Sequence, residues 1–173
     1  MKKIWKIMLS LMLANMLFIL NVYAAPPSQH GQDTSVNEPS ELLPKEVNSS
    51  ADSEHSVKRG DFFIEADLVI SDQGGGNIGA LAVAYMEHAV DEVYISIYLD
   101  RWIEEENRWE QVAYYDAEFY AEDYPEGLTD PTVDITFLDQ ERDHYYRLRS
   151  SFSAVYEYEY EGFSPTTSGI WID

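Results

Sequence analysis

The sequence contains no cysteine. Without cysteine the chain can form neither a disulfide nor the lipidated cysteine of a bacterial lipoprotein, so its core alone must hold the fold. Lysine is confined to the first 58 residues: from Asp61 onward there are 26 Asp and Glu, five Arg and no Lys. Such an acidic surface repels phosphate backbones and anionic bilayers, so we expect neither nucleic acid nor a membrane surface as a partner.

Catalytic signatures are also missing. His88 and His144 are the only histidines after Gly60, and neither lies in a Gly-x-Ser-x-Gly or His-Glu-x-x-His pattern. The loop Gly74-Gly75-Gly76 has no neighbouring lysine of the kind that phosphate-binding loops use. We therefore expect no enzyme active site and no bound cofactor.

The N-terminus has the pattern of an export signal. Three lysines precede an apolar run from Ile7 to Leu20, which ends in Val22-Tyr23-Ala24. A retained anchor is the alternative, but the run is shorter than the ~20 residues that span a bilayer. The pattern predicts a signal peptide over residues 1–24 and a product that is secreted, or held at the cell surface by binding something.

Composition divides the rest of the chain into two parts. Residues 25–58 are rich in Pro, Ser, Asn and Glu and contain no aromatic residue, which predicts a disordered polar linker. Residues 59–173 contain 12 of the 13 tyrosines and many β-branched residues. Their length is typical of one domain with one core.

Period-two alternation predicts strands in this domain. It is clearest where Val93, Ile95, Ile97 and Leu99 alternate with polar or aromatic residues, and a polar turn separates this strand from the next. Trp102 and Trp109 should face each other across that hairpin. The other predicted strands are Phe62–Ile70, Ile78–Met86, Arg108–Glu118, Thr132–Leu138, His144–Tyr160 and Gly169–Ile172. About seven such strands predict an all-β antiparallel β-sandwich.

Two stretches carry resemblances to known families. Tyr146-Arg147-Leu148-Arg149 and Glu161-Gly162-Phe163-Ser164-Pro165-Thr166 resemble the last two strands of a fibronectin type III-like domain. The chain from Arg59 to Asp173 also resembles a domain-of-unknown-function family of small secreted Gram-positive bacterial proteins. The motifs that fit are Arg59-Gly60, Gly74-Gly75-Gly76, Val90-Asp91-Glu92-Val93, Trp109, Tyr145-Tyr146-Arg147 and Ile170-Trp171-Ile172-Asp173. The resemblance implies an exported β domain and carries no known activity.

Exposed aromatic residues are the candidate ligand contacts. Tyr156, Tyr158 and Tyr160 alternate with glutamates, so one face of that strand should present a row of rings. The alternative is that the tyrosines fill the core and the glutamates protect an edge. Arg147 and Arg149 should lie on the face opposite Tyr146 and pair with acids.

Clustered acids near turns suggest calcium as a second candidate ligand. Calcium prefers hard oxygen ligands in loops, although the sequence contains no EF-hand pattern. The candidate residues are Asp130, Asp134, Asp139, Glu141 and Asp143.

The sequence thus predicts a non-enzymatic extracellular binding module whose partner is a protein or a glycan. The alternative is a carbohydrate-binding module that uses exposed Trp and Tyr, namely Trp102, Trp109, Tyr156, Tyr158 and Tyr160. A secreted hydrolase is the third hypothesis.

Overall fold

A computed structural model of the protein describes residues 34–56 and 62–173. These residues form two antiparallel β-sheets that pack face to face as a sandwich, which confirms the predicted fold class. The described part contains nine strands rather than about seven, together with single 3₁₀ turns at Glu104–Glu106 and Ala121–Asp123. The strands are β1 (Ser49–His55), β2 (Phe63–Asp72), β3 (Ile78–Met86), β4 (Glu92–Ile103), β5 (Arg108–Tyr120), β6 (Thr132–Phe137), β7 (His144–Tyr156), β8 (Glu159–Phe163) and β9 (Ile170–Ile172).

The chain crosses between the two sheets repeatedly. One sheet has the order β1-β2-β3-β6, and the other has the order β5-β4-β7-β8, with β9 also paired to β7. Hairpins connect β2 to β3 and β4 to β5, while β3 to β4, β5 to β6 and β6 to β7 pass from one sheet to the other. Such connections are typical of immunoglobulin-like sandwiches.

Alternating apolar side chains build the core between the sheets. In β4 the side chains of Val93, Ile95 and Ile97 are fully buried, as the period of two predicts. In β3 the inward positions include Ala80 and Ala82, whose small side chains are also buried. The predicted strand over Ile78–Met86 is therefore confirmed, although alanine is a good helix former.

A tyrosine fixes the connection between β6 and β7. Tyr146 lies near the start of β7, and its buried ring sends the hydroxyl back to donate to the main-chain oxygen of Glu141 at 2.7 Å. A tyrosine at this corner, bonded to backbone a few residues upstream, is a hallmark of immunoglobulin-like sandwiches. It supports the fold type on grounds independent of strand order.

The predicted linker is wrong for the described residues 34–56. Seven of them form β1, which pairs with the edge of β2 from Ser49↔Ser71 to His55↔Glu65. Ladder hydrogen bonds use main-chain atoms, so a polar segment can extend a sheet without an apolar face of its own. The remaining part of the predicted linker, like the predicted signal peptide, lies outside the described residues.

The predicted single strand over His144–Tyr160 is two strands joined by a tight turn. Glu157 and Tyr158 both have positive φ, at 47° and 73°, which reverses the chain between β7 and β8. Two consecutive left-handed residues are the geometry of a two-residue hairpin turn, usually formed by Asn-Gly. Because neither residue is Asn or Gly and the alternation of Tyr and Glu continues through the turn, the sequence predicted one continuous strand here.

Within the described part of the chain, no helix has the length and apolar character needed to cross a membrane.

Candidate binding cleft

A cleft of about 150 Å³ opens at one end of the sheet that contains β4, β7 and β9. We call it the aromatic cleft. It lies where the β4–β5 turn, the start of β7 and the last strand meet a turn that precedes β1. Its lining residues are Leu42, Lys45, Trp102, Glu104, Asp143, His144, Tyr145 and Trp171.

Cross-strand pairs place the rings of the cleft. Tyr145 of β7 is directly opposite Trp171 of β9, and their ring centroids are 5.1 Å apart at an interplanar angle of 73°. Trp102 of β4 is opposite Trp109 of β5, with centroids 5.2 Å apart at 65°. The predicted contact between these two indoles is confirmed. Edge-to-face packing of this kind is favourable and holds the rings in fixed orientations.

The N-terminal segment, residues 34–43, brings a lysine to the cleft. The amide of Leu43 donates to the Gly169 carbonyl at 2.9 Å, and the Gly169 amide donates to the Glu41 carbonyl at 2.7 Å. A turn closed by the Val47 amide and the Pro44 carbonyl follows at once. As a result the ammonium group of Lys45 lies 3.1 Å from the ring centroid of Trp171.

The rest of the polar lining is mainly acidic. Asp143 has a φ of 64°, and its amide donates to the Ile172 carbonyl at 2.7 Å, so a left-handed turn holds it at the mouth. Glu104 comes from the 3₁₀ turn after β4 and is exposed. His144 is half-buried, and its Nε2 lies 3.5 Å from a carboxylate oxygen of Glu141. The cleft therefore combines aromatic faces with two exposed carboxylates.

Beside the cleft lies a buried charged group that we call the Asp100 cluster (Asp100, Arg147 and Arg149). Arg149 donates from Nε and Nη2 to the two oxygens of Asp100 at 2.6 and 3.0 Å, and Arg147 donates from Nε at 3.1 Å. The predicted pairing of both arginines with an acid is confirmed. Asp100 and Arg147 have no exposed surface, and Arg149 is 2% exposed.

The N-terminal segment covers this cluster. Arg147 donates to the carbonyls of Glu38 at 2.6 Å and Val36 at 2.9 Å, and Arg149 donates to the hydroxyl of Thr34 at 3.2 Å. Burial lowers the pKa of Arg147, while the charge of Asp100 opposes that shift. The main-chain oxygens thus satisfy guanidinium donors that one carboxylate could not.

The predicted aromatic contacts do not form one surface. Trp102 lines the cleft, but Trp109 is only 5% exposed, with the Arg147 guanidinium 4.6 Å from its ring centroid. Tyr156 packs on His88 at 4.4 Å, Tyr158 is fully exposed at the tip of the β7–β8 turn, and Tyr160 is 46% exposed. The predicted row of rings is wrong because the turn separates these residues onto different sides of the hairpin.

The five predicted calcium ligands are likewise dispersed. Asp134 lies within β6 opposite Leu81, Glu141 pairs with Arg101, and Asp143 belongs to the cleft. Among residues 34–56 and 62–173, no group of three or more His, Asp or Glu is arranged to hold a metal ion. The predicted calcium ligands are close in sequence, but the fold does not bring them together at one site; they are Asp130, Asp134, Asp139, Glu141 and Asp143.

Sequence reasoning missed most of the cleft. Tyr145 and Trp171 alternate with buried Tyr146 and Ile172, so their outward direction was readable from the pattern. Their pairing was not, because it depends on the register of strands far apart in sequence. Lys45 was missed because it lies in the stretch predicted to be a disordered linker.

Comparison with known protein families and with curated proteins finds no match for this chain.

Proposed function

We propose that the protein is a secreted, non-enzymatic binding module that takes its ligand in the aromatic cleft. The observation that carries this proposal is the meeting of Trp102, Tyr145 and Trp171 with two carboxylates around an opening of about 150 Å³. Binding sites commonly combine aromatic walls with a few polar groups that orient the ligand. All three rings belong to strands of one sheet, so the site is largely preformed.

The lining of the cleft supports binding rather than catalysis. It includes His144 and two acids, but none of its residues is a serine, threonine or cysteine. Hydrolysis by a triad of the Ser-His-Asp or Cys-His type needs such a group beside a base, with a third group to orient the base. The nearest carboxylate to the imidazole, Glu141, also pairs with Arg101.

Charge and the N-terminal sequence support an extracellular role. The net charge of −21 disfavours nucleic acid and anionic membranes as partners. The signal-like residues 1–24 support export, and a fold that holds without any disulfide needs no particular redox environment. Release into the medium or attachment through a bound partner are both compatible with this role.

A carbohydrate is the second candidate ligand. Indole and phenol rings provide flat apolar area, and the carboxylates and imidazole of the lining can accept or donate hydrogen bonds to hydroxyl groups. Trp102 is the one residue of the predicted sugar-binding set that lines the cleft. Support for a carbohydrate ligand therefore comes from the residues of the cleft and not from the tyrosines of β7 and β8.

Binding to arrays of glycans and of amine-bearing peptides tests the proposal. We expect saturable binding that falls at least tenfold in Trp171→Ala. Tyr114→Ala is the matched control, because Tyr114 is a 64% exposed ring that does not line the cleft, and it should bind like the wild type. A ligand that binds both variants equally, or the absence of any saturable ligand, would overturn the cleft as the binding site.

A further inference from the structure

We infer that the aromatic cleft recognises an organic ammonium group and that Lys45 occupies the site as an internal competitor. The inference rests on the proposed function, since it names the ligand class of the same cleft. A lysine side chain of a partner and a small free amine share this chemistry.

The first observation is the position of Lys45 itself. Its ammonium group lies 3.1 Å from the Trp171 ring centroid, over the electron-rich face. Lys45 is the only lysine within residues 34–56 and 62–173, and no described carboxylate lies within ion-pairing distance of it. The aromatic ring, rather than a salt bridge, therefore holds the cation at the cleft.

The second observation is the arrangement of rings around that position. Tyr145 meets Trp171 at 73°, and Trp102 contributes a further indole to the lining. Rings at steep angles to one another form two sides of a corner, which is how aromatic cages surround a cationic head group. Flat, parallel rings would have suited a planar neutral ligand better.

The third observation is uncompensated negative charge. Glu104 and Asp143 both line the cleft, are exposed, and form no ion pair within the described part of the chain. An anionic ligand would be repelled by them, and a neutral sugar would leave their charge unbalanced. A cation at the position of the Lys45 ammonium group lies beyond ion-pairing distance of both carboxylates but gains longer-range attraction from them, and the net charge of −21 raises its local concentration.

Lys45 can leave the cleft without disturbing the fold. It is exposed and lies in a surface turn between Pro44 and Val47, whereas β1 and the bonds of Leu43 to Gly169 hold the chain on either side. An external amine has to displace a tethered lysine, which acts at a high effective concentration. Removing that side chain should therefore increase affinity.

The experiment measures the affinity of the secreted chain for tetramethylammonium and for an acetylated Gly-Lys-Gly amide, by amide chemical-shift titration. We expect Lys45→Ala to bind both probes about three- to tenfold more tightly than the wild type, since an aromatic–cation contact is worth about that factor. Arg108→Ala is the matched control: it removes the same unit charge from an exposed arginine that pairs with Glu106 and does not line the cleft. Its affinity should stay within about twofold of the wild type.

A peptide with norleucine in place of lysine should show no saturable shift at the cleft. Trp171→Ala should lose at least tenfold in affinity, and Trp171→Phe, which keeps a ring, should lose less. The phenylalanine variant decides the outcome if the alanine variant fails to fold. Binding of the lysine peptide alone would identify a protein side chain as the source, and binding of both probes would show that the ammonium group suffices; both results support the inference.

Two results would overturn it. If Lys45→Ala binds neither amine, or if it binds them no better than Arg108→Ala, the cleft is not an ammonium site. If a glycan still binds at the cleft in the same titration, the proposed binding function stands while the ligand class is wrong. If neither amine nor glycan binds, both proposals fail together.

Discussion

The outer face of the sheet β5-β4-β7-β8 has two halves that differ in whether the N-terminal segment covers them. One half carries the Asp100 cluster and is sealed under the N-terminal segment, so that the side chain of Asp100 has no exposed surface. The other half carries tyrosines and acids and is left uncovered, with Tyr114 64% exposed. Both halves belong to the same three neighbouring strands, β5, β4 and β7.

Hydrogen-bond donors explain the difference. Arg147 and Arg149 present more N–H groups than Asp100 can accept, and two main-chain carbonyls and the Thr34 hydroxyl of the N-terminal segment accept from the surplus. The other half offers hydroxyls that already bond locally to carboxylates, as Ser96 does to Asp116 at 2.6 Å. A polar segment is therefore bound where the sheet has surplus guanidinium donors, and the turn that follows this segment places Lys45 at the cleft.

The largest expected effect follows from breaking the covered half. Asp100→Ala leaves two buried guanidinium groups without their carboxylate, and we expect a loss of about 3–5 kcal/mol in the free energy of unfolding. Urea denaturation at pH 7 measures it. Asp116→Ala, on the exposed half of the same face, is the control and should cost no more than about 1 kcal/mol. Equal losses in both variants would refute the contrast.

Removing the cover should have a smaller effect. A chain that begins at Glu41 lacks the carbonyls and hydroxyl that accept from Arg147 and Arg149, and we expect a loss of about 2–3 kcal/mol, since water replaces part of what is lost. Glu38→Ala is the control because it keeps the main-chain oxygen, and it should change stability by about 0.5 kcal/mol or less. Equal stability of the shortened chain would show that the cover is not needed.

High pH should weaken the fold through two tyrosines of this sheet, Tyr94 on the outer face and Tyr146 in the core. Burial and the hydrogen bond to Glu92 raise the pKa of Tyr94, and burial raises the pKa of Tyr146. The folded chain thus holds these protons more tightly than the unfolded chain, so stability is full below about pH 10 and falls as pH rises further. Thermal unfolding from pH 8 to 11 measures the slope.

Two variants test the origin of that slope. Tyr94→Phe should make it shallower above pH 10. Tyr114→Phe removes a phenol from an exposed position and controls for the mere loss of a tyrosine. An identical slope in the Tyr94 variant and in the wild type would contradict the assignment.

The smallest effect concerns two serines that face each other across β4 and β7. The hydroxyl of Ser151 is buried and has no hydrogen-bond partner, whereas its neighbour Ser96 donates to Asp116. We expect Ser151→Ala to be neutral or stabilising by up to about 1 kcal/mol, and Ser96→Ala to be destabilising by about 1 kcal/mol. Melting temperatures of the pair measure the difference in sign. Destabilisation by the Ser151 change would show that its hydroxyl is satisfied in solution.

Local patterns predicted much of the sandwich. Alternation identified β3 and β4, the hairpin that pairs Trp102 with Trp109, and the outward direction of Arg147. These features were readable because a strand repeats every two residues and a hairpin joins neighbours in sequence. The turn at Glu157 could not be predicted, because Glu and Tyr rarely adopt positive φ and so do not indicate a tight turn.

The sequence by itself determined that the chain forms strands, which side chains of each strand point inward, and that no cross-link assists the core. Only the tertiary structure decided that Trp109 is buried while Trp171 is accessible, that residues 34–43 cover two arginines, and that a lysine reaches the cleft. The physical reason is separation along the chain. Arg147 and Val36 are 111 residues apart in the chain. Every residue carries a main-chain carbonyl, so the sequence does not show which carbonyl will accept a hydrogen bond from a given arginine.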